Sequence, residues 1–212
     1  MSTAIVERRE GLIEAGERLF SRYGYRDVSI EDIAGATGLA TGSFYNYFRT
    51  KEAFYEEILD RIEARGIAEA RRVIAGFRSP MNQLKALYRF ITLALRRNAI
   101  LRGILTDNRR YTFRGAAARQ SRRTSILAEI EQLIDQILVE GTKKRTFRAG
   151  IYRNPKAMLV MMFNALLARF DSDDVQQLTE DMLMLVERGL KRRLSLRKRD
   201  ERRDRRAARK RT

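Results

Sequence analysis

Residues 37–51 read TGLATGSFYNYFRTK, and the fold turns on how this run is understood. Gly38 and Gly42 precede four aromatics packed into five positions: Phe44, Tyr45, Tyr47 and Phe48. Just upstream, Ser29 is placed to open a short helix. Asp32 stands three residues on, an approximate capping box with Asp where Glu or Gln is usual. Ile30, Ile33 and Ala34 face inward and Gly38 closes the turn. A third helix is predicted over 41–47, and Thr50 caps a fourth running over 51–75. A short helix, a glycine turn and a second short helix form a helix-turn-helix. Such a unit lays its second helix in the major groove.

Within that helix the aromatics divide by position. Phe44 and Phe48 lie four apart on one face and suit the core. Tyr45 and Tyr47 point elsewhere, with hydroxyls that can reach phosphates or base edges. Gly42 and Ser43 present little bulk, so a duplex can approach the backbone closely. Lys51, in the first turn of the next helix, adds a charge that suits a phosphate. The plainer reading is an aromatic cluster serving only as the core of a small helical domain.

A first helix is expected over 3–23, with Ile5, Leu12, Leu19, Phe20 and Tyr23 on one stripe and Gly24 as a left-handed stop. Beyond residue 76 the composition shifts. Ser79-Pro80 starts a helix over 80–96. Segments 98–106 and 109–119 are less sharply defined. An amphipathic helix spans 122–140 and should stop at Gly141, followed by a loop. Asn154-Pro155 starts a helix to about residue 170, and a last one runs from about 172 to 196. Period-two alternation is absent, so the chain reads as all-α.

Whole-chain chemistry narrows the function. The 212 residues hold no Cys and no His, which removes disulfides, thiolate nucleophiles, the usual zinc ligands and the commonest general base. No paired carboxylate site stands out, so an enzyme is not expected, and neither metal nor cofactor is called for. No uncharged apolar run is long enough to span a bilayer and no apolar signal core opens the chain, so the expected setting is the cytoplasm, away from membranes. The net charge is +17. Residues 1–60 carry 7 Lys/Arg against 11 Asp/Glu, a balance of −4, whereas from Lys191 onward 13 Lys/Arg face three acids. The polyanion signal is therefore concentrated at the C-terminus. The head has no acid between residues 39 and 51, where it would meet DNA.

The blocks FSRYGY (20–25), VSIEDIA (28–34) and GLATGSFYNYFRTKEAF (38–54) resemble the N-terminal DNA-binding domain of the TetR family of bacterial transcriptional regulators. That resemblance implies a helix-turn-helix head over 1–60, whose connecting helix continues to about 75, and a helical ligand-binding and dimerisation body over 77–196. A basic tail, 197–212, lies outside the family pattern. It further implies DNA contacts at Thr41, Gly42, Ser43, Tyr45, Asn46 and Tyr47, a phosphate anchor at Lys51 and a contact at Ser29. One departure is Ala40, where the family usually has Ser at the helix cap. Alanine cannot accept the free N–H groups, and Thr41 could take over the cap, moving the helix start by one residue.

The implied partners are a palindromic operator in double-stranded DNA, a second copy of the chain and a small effector. The methionine-rich segments around 158–168 and 178–190 suggest a four-helix dimer seam, with Met158, Met162, Leu166, Met182, Val186 and Leu190 contributing. Candidate pocket residues are Phe90, Leu93, Ile104, Tyr111, Phe113, Phe163 and Leu167, with plain core as the alternative for each. Nine arginines between 96 and 123 suit an anionic effector such as an acyl-CoA, or else a solvated surface. The rival function is a general nucleic-acid-binding protein driven by the arginine-rich tail, with little sequence preference and steep salt dependence.

Overall fold

The computed structural model describes residues 3–112, 116–148, 150 and 152–191. Among these the chain is helical: α1 (Thr3–Tyr23), α2 (Ile30–Ala36), α3 (Thr41–Phe44), α4 (Lys51–Ala75), α5 (Pro80–Arg97), α6 (Ala99–Leu105), a 3₁₀ turn (Arg109–Tyr111), α7 (Ala116–Lys143), α8 (Pro155–Ala168) and α9 (Val175–Leu190). Phe147 and Lys191 form an isolated antiparallel bridge.

Local chemistry sets most of these limits. The Ser29 hydroxyl accepts the Asp32 amide at 3.0 Å, while the Asp32 carboxylate takes the Ser29 amide at 2.8 Å, completing the capping box of α2. Thr50, Asn98 and Asn154 cap α4, α6 and α8 by accepting from Ala53, Leu101 and Ala157. Pro80 starts α5 without a side-chain bond from Ser79. Ala40 remains the residue before α3 and supplies no cap bond, so the helix start does not move past Thr41. The helix is also shorter than 41–47. After Phe44 the chain continues in turns, with the Tyr47 amide donating to the Phe44 carbonyl at 2.9 Å.

Four other bounds differ from expectation. Helix α7 begins at Ala116 and passes through Gly141 rather than stopping there. The ring of Phe147 folds back onto Gly141, and a Cβ there would stand 2.1 Å from it, so this glycine serves close approach and not termination. Helix α8 ends at Ala168 and α9 begins at Val175, because 169–174 form a turn in which Ser172 bonds Asp174 at 2.5 Å. The expected end of the last helix, 192–196, and the basic tail, 197–212, lie outside the described residues.

The core of the N-terminal part joins Leu12, Phe20, Ile33, Phe44, Phe54 and Tyr55, all fully enclosed. Each such side chain contributes about 1.5–3 kcal/mol by leaving water. Ile5 and Tyr23, expected on the inner stripe of α1, are exposed. Ile5 precedes the first ion pair of α1 to α4, Arg9 to Glu57, and Tyr23 instead lies under the Arg22 guanidinium. In the C-terminal part α5 is central, packing against α4, α6, α7 and α9. The hydroxyl of Tyr88 on α5 donates to the Leu159 carbonyl at 2.7 Å, and Phe163 meets its ring edge-on.

Candidate nucleic-acid interface

Phe44 explains why so short a helix holds its orientation. Its ring is fully buried, 5.5 Å from Phe48 and 5.2 Å from Phe54, and Phe48 lies 4.6 Å from Phe54. The Arg9 guanidinium covers the outer side of Phe48 at 4.9 Å. With α3 pinned on that side, Tyr45 is left 54% exposed, its ring resting edge-on against Phe44. Gly42 and Asn46 are exposed, while Thr41, Ser43 and Tyr47 are partly covered. Tyr47 packs against the core, so less of it reaches solvent than its place in the sequence suggests.

Lys51 stands at the first turn of α4 with its ammonium 4.3 Å from the centre of the Tyr25 ring. Burial pulls its pKa below the ordinary value, against the raising influence of Glu52, Asp27 and Asp32. The Tyr25 hydroxyl in turn donates to Glu52 at 2.7 Å, which fixes the ring beneath the lysine. Ser29 is differently placed. Its hydroxyl and its amide both donate to the Asp32 carboxylate, so both its donors are engaged within the cap. Among the residues singled out, the structure brings Gly42, Tyr45, Asn46 and Lys51 onto the outside of one small unit.

The joint between this unit and the rest of the chain was not anticipated. The 3₁₀ turn docks on the C-terminal end of α1: the Tyr25 amide donates to the Arg110 carbonyl at 2.9 Å, and Arg110 Nε donates to the Tyr23 carbonyl at 3.1 Å. The buried Tyr55 hydroxyl donates to the Tyr111 carbonyl at 2.7 Å. From α7, Arg122 reaches three carboxylates of α4, with Glu56 at 2.6 Å, Asp60 at 2.7 Å and Glu63 at 3.1 Å. A legible signal existed, since Glu56, Asp60 and Glu63 recur at helical spacing on one face and call for a cation. The arginine-rich segment is thus partly structural, neither solvated throughout nor wholly available to an anion.

The candidate pocket residues scatter. Phe90 lines a small apolar cavity of ≈ 40 Å³ between α4, α5, α6 and α7, with Ile62, Ile91, Leu101, Leu105 and Ile126 around it. Leu167 borders a larger polar cleft of ≈ 700 Å³ with Leu105, Asn108, Arg123, Asn164 and Arg169. Among the described residues the Arg123 Nε is buried without a hydrogen-bond partner. Ile104 and Phe163 are core, and Leu93 faces outward at 46% exposure because it lies on the side of α5 away from its neighbours. Tyr111 is fixed in the joint, its ring lying on Gly103 and its hydroxyl reaching toward the Ser21 carbonyl at 3.4 Å. Phe113 lies outside the described residues.

Of the candidate seam residues, Met158 is exposed and Met162, Met182 and Val186 are half-buried. Leu166 and Leu190 instead enter the chain's own core, since α8 and α9 turn them inward on packing together. The more exposed apolar side chains of these helices are Met161 at 71% and Leu185 at 66%, beside Met158 and Met184. No helix among the described residues is long and apolar enough to cross a membrane.

A capped helix, a glycine turn and a short tyrosine-bearing helix, clamped by a fourth that continues into further helices, define a helix-turn-helix unit. Residues 12–58 match the family model for bacterial regulatory proteins of the tetR family. Curated relatives agree. The HTH-type transcriptional repressor KstR of Mycobacterium tuberculosis is 29% identical over 140 residues, 66% of this chain and 60% of that protein. The HTH-type transcriptional repressor DhaR of a Mycobacterium species is 41% identical over 51 residues, 24% of this chain and 26% of that one. The match thus spans at most 60% of either relative's length. Among solved structures, a transcriptional regulator from Cytophaga hutchinsonii superposes with a TM-score of 0.69 at 17% identity, covering 86% of this chain and 98% of its own. FadR from Bacillus subtilis, in complex with stearoyl-CoA, gives 0.64 at 19% identity, covering 85% and 98%. These likenesses establish the fold.

Proposed function

We propose that the chain is a ligand-responsive, homodimeric transcriptional repressor of the cytoplasm, which holds a palindromic operator until a small effector enters its body. One observation carries this: Phe44 at the end of α3 is buried while Gly42, Tyr45 and Asn46 around it in the chain are exposed, and Lys51 opens α4 with its ammonium over the Tyr25 ring. In this reading the head is residues 1–60 and the body 77–196. Thr41, Gly42, Ser43, Tyr45, Asn46 and Tyr47 meet base edges and backbone, and Lys51 meets a phosphate. Ser29 acts through the helix start it fixes, because its donors are engaged. The relatives named as repressors support the direction of control. Selection of bound sequences from a random duplex pool tests the proposal. A palindrome is expected, whereas binding without sequence preference and with steep salt dependence supports the rival, tail-driven reading.

Two copies would meet through the outer faces of α8 and α9, where Met158, Met161, Met162, Met182, Leu185 and Val186 supply the apolar surface. Dimerisation sets two recognition helices about 34–36 Å apart, or a multiple of that spacing, to match half-sites on one face of the duplex. An effector acts by preferring a different head separation, and a coupling of about 1–3 kcal/mol is enough to release DNA.

The effector class follows from two adjoining spaces. The apolar cavity takes hydrocarbon, the cleft holding Arg123 and Arg169 takes a negative group, and Leu105 borders both. An amphipathic anion such as an acyl-CoA matches that division in chemistry, and its acyl chain requires the ≈ 40 Å³ apolar cavity to widen on binding. FadR from Bacillus subtilis, of similar fold, was solved with stearoyl-CoA. Thermal-shift comparison of acyl-CoAs with neutral lipophiles decides it. Stabilisation by the CoA esters, reduced by Arg123→Ala, is expected, and stabilisation by neutral compounds alone overturns the anionic part.

A further inference from the structure

Among the described residues, a group of exposed cations gathers at the end of the chain's C-terminal part away from the recognition helix. Helix α4 leaves the head at Lys51 and ends at Ala75, a rise of about 36 Å along the axis. At that far end the Lys144 ammonium reaches the Arg78 carbonyl at 3.5 Å, seating the end of α7 on the α4–α5 turn. The loop after α7 is then fastened to the end of α9, with the Arg148 amide donating to the Leu190 carbonyl at 2.9 Å beside the Phe147–Lys191 bridge.

These contacts collect Arg78, Lys143, Lys144, Arg145, Arg148 and Lys191 on one pole, all exposed. Two carboxylates oppose them, Glu140 paired with Lys144, and Glu187 shared between Lys85 and Lys191. Lys143, Arg145 and Arg148 form no ion pair among the described residues. Residues 192–212, which follow directly, carry twelve more Lys/Arg against three acids. Meanwhile residues 1–60 are net negative.

We propose that this basic pole is a second docking surface for the nucleic-acid backbone, engaging a duplex other than the one read by α3, so that one dimer can join two DNA segments. The charge is in the wrong place to serve the heads' own duplex, since the anchored cluster stands about 36 Å along α4 from Lys51. It is in the right form for phosphates, being dense in Lys and Arg without demanding a shaped pocket. In the seam proposed above, two such poles lie at the same end of the dimer. The second-segment step rests on the regulator reading of the heads, but the pole's affinity for a duplex does not.

Anisotropy of a labelled 30-base-pair duplex of scrambled sequence tests the pole directly. The full chain is compared with a quadruple Gln variant at Lys143, Lys144, Arg145 and Arg148, with a chain ending at Lys191, and with Tyr45→Ala. The quadruple variant, once shown to melt as the unaltered protein does, should bind the scrambled duplex at least tenfold more weakly, with a salt dependence shallower by up to about four ions. Tyr45→Ala should weaken binding to a selected operator far more than binding to the scrambled duplex. Retention of full affinity by the quadruple variant, or loss through tail removal alone, overturns the proposal. Anionic vesicles (phosphatidylglycerol with phosphatidylcholine) form a further arm because Phe77 is exposed beside Arg78. Pole-dependent uptake by vesicles without duplex binding also overturns it. Failure to select an operator defeats the regulator reading and leaves this measurement standing. With an operator in hand, immobilised operator carrying the full chain should capture the scrambled duplex, and the quadruple variant should not.

Discussion

Gly24 and Arg110 share one small volume: a Cβ on Gly24 would stand 2.4 Å from Arg110 Cγ and 2.8 Å from its carbonyl oxygen. Gly24 also holds a φ of +84°, a conformation that L side chains adopt at a cost. The end of α1 and the 3₁₀ turn therefore meet where only a glycine fits. Gly24→Ala is expected to lower stability by about 1–3 kcal/mol. Arg110→Ala should cost less, because it removes hydrogen bonds without forcing a clash. Chemical denaturation of the two variants tests the order, and a Gly24→Ala protein as stable as its parent would show that the joint yields easily.

Tyr45 and Phe44 are neighbours with opposite expectations. Tyr45→Ala removes an exposed ring and should leave stability within about 0.5 kcal/mol of the parent. Its loss should weaken binding to the selected operator by about 1–3 kcal/mol, roughly 5- to 150-fold. Phe44→Ala empties a fully enclosed position and should destabilise the head by about 3–5 kcal/mol. Operator titrations and thermal melts on the same pair separate recognition from folding.

On the outer face of α8 and α9, Met161→Glu with Leu185→Glu should give a folded monomer in sedimentation experiments, since both side chains are already in water in the single chain. Leu166→Glu should instead unfold the protein, because it places a charge in the core. A double variant that stays dimeric would move the seam to another face.

Glu187 gives a pH signature. Hydrogen bonds from Lys191 and from Lys85 hold its carboxyl at about 2, well below its ordinary 4.5. A depressed acid stabilises the fold above its unfolded value and loses that contribution as pH falls toward the folded one. The stability that Glu187 supplies should therefore be complete above pH 4.5 and decline between 4.5 and about 2. Glu187→Gln should be less stable than the parent at neutral pH, and the gap should narrow across that window. Melting curves at stepped pH provide the check.

Much of the fold could be read from the sequence because its helices are marked by local chemistry. Ser29, Thr50, Asn98 and Asn154 each accept an amide from the first turn, and the fully helical class followed from apolar spacing. What failed depended on distant contacts. Gly141 reads as a stop until Phe147 is seen lying on it. Leu166 and Leu190 look like seam residues until α8 and α9 pack against the body. The arginines of 96–123 look alike in sequence, yet Arg122 serves α4, Arg110 serves α1, and Arg123 borders a cleft. At the recognition helix the periodicity separated Phe44 from Tyr45 correctly, and the capping box indicated the Ser29 amide on Asp32 but not that the hydroxyl would donate there as well.

One guanidinium holding Glu56, Asp60 and Glu63 at once limits how α4 can move. Rolling α4 about its own axis would carry at least one carboxylate out of reach of Arg122, whereas swinging α4 and α7 together keeps all three. The three ion pairs therefore oppose torsion of α4 against α7 more than a joint lean of the two. A disturbance near α7 would then reach the Lys51 end of α4 as a sideways displacement that grows with distance from its pivot, and the length of α4 sets the gain.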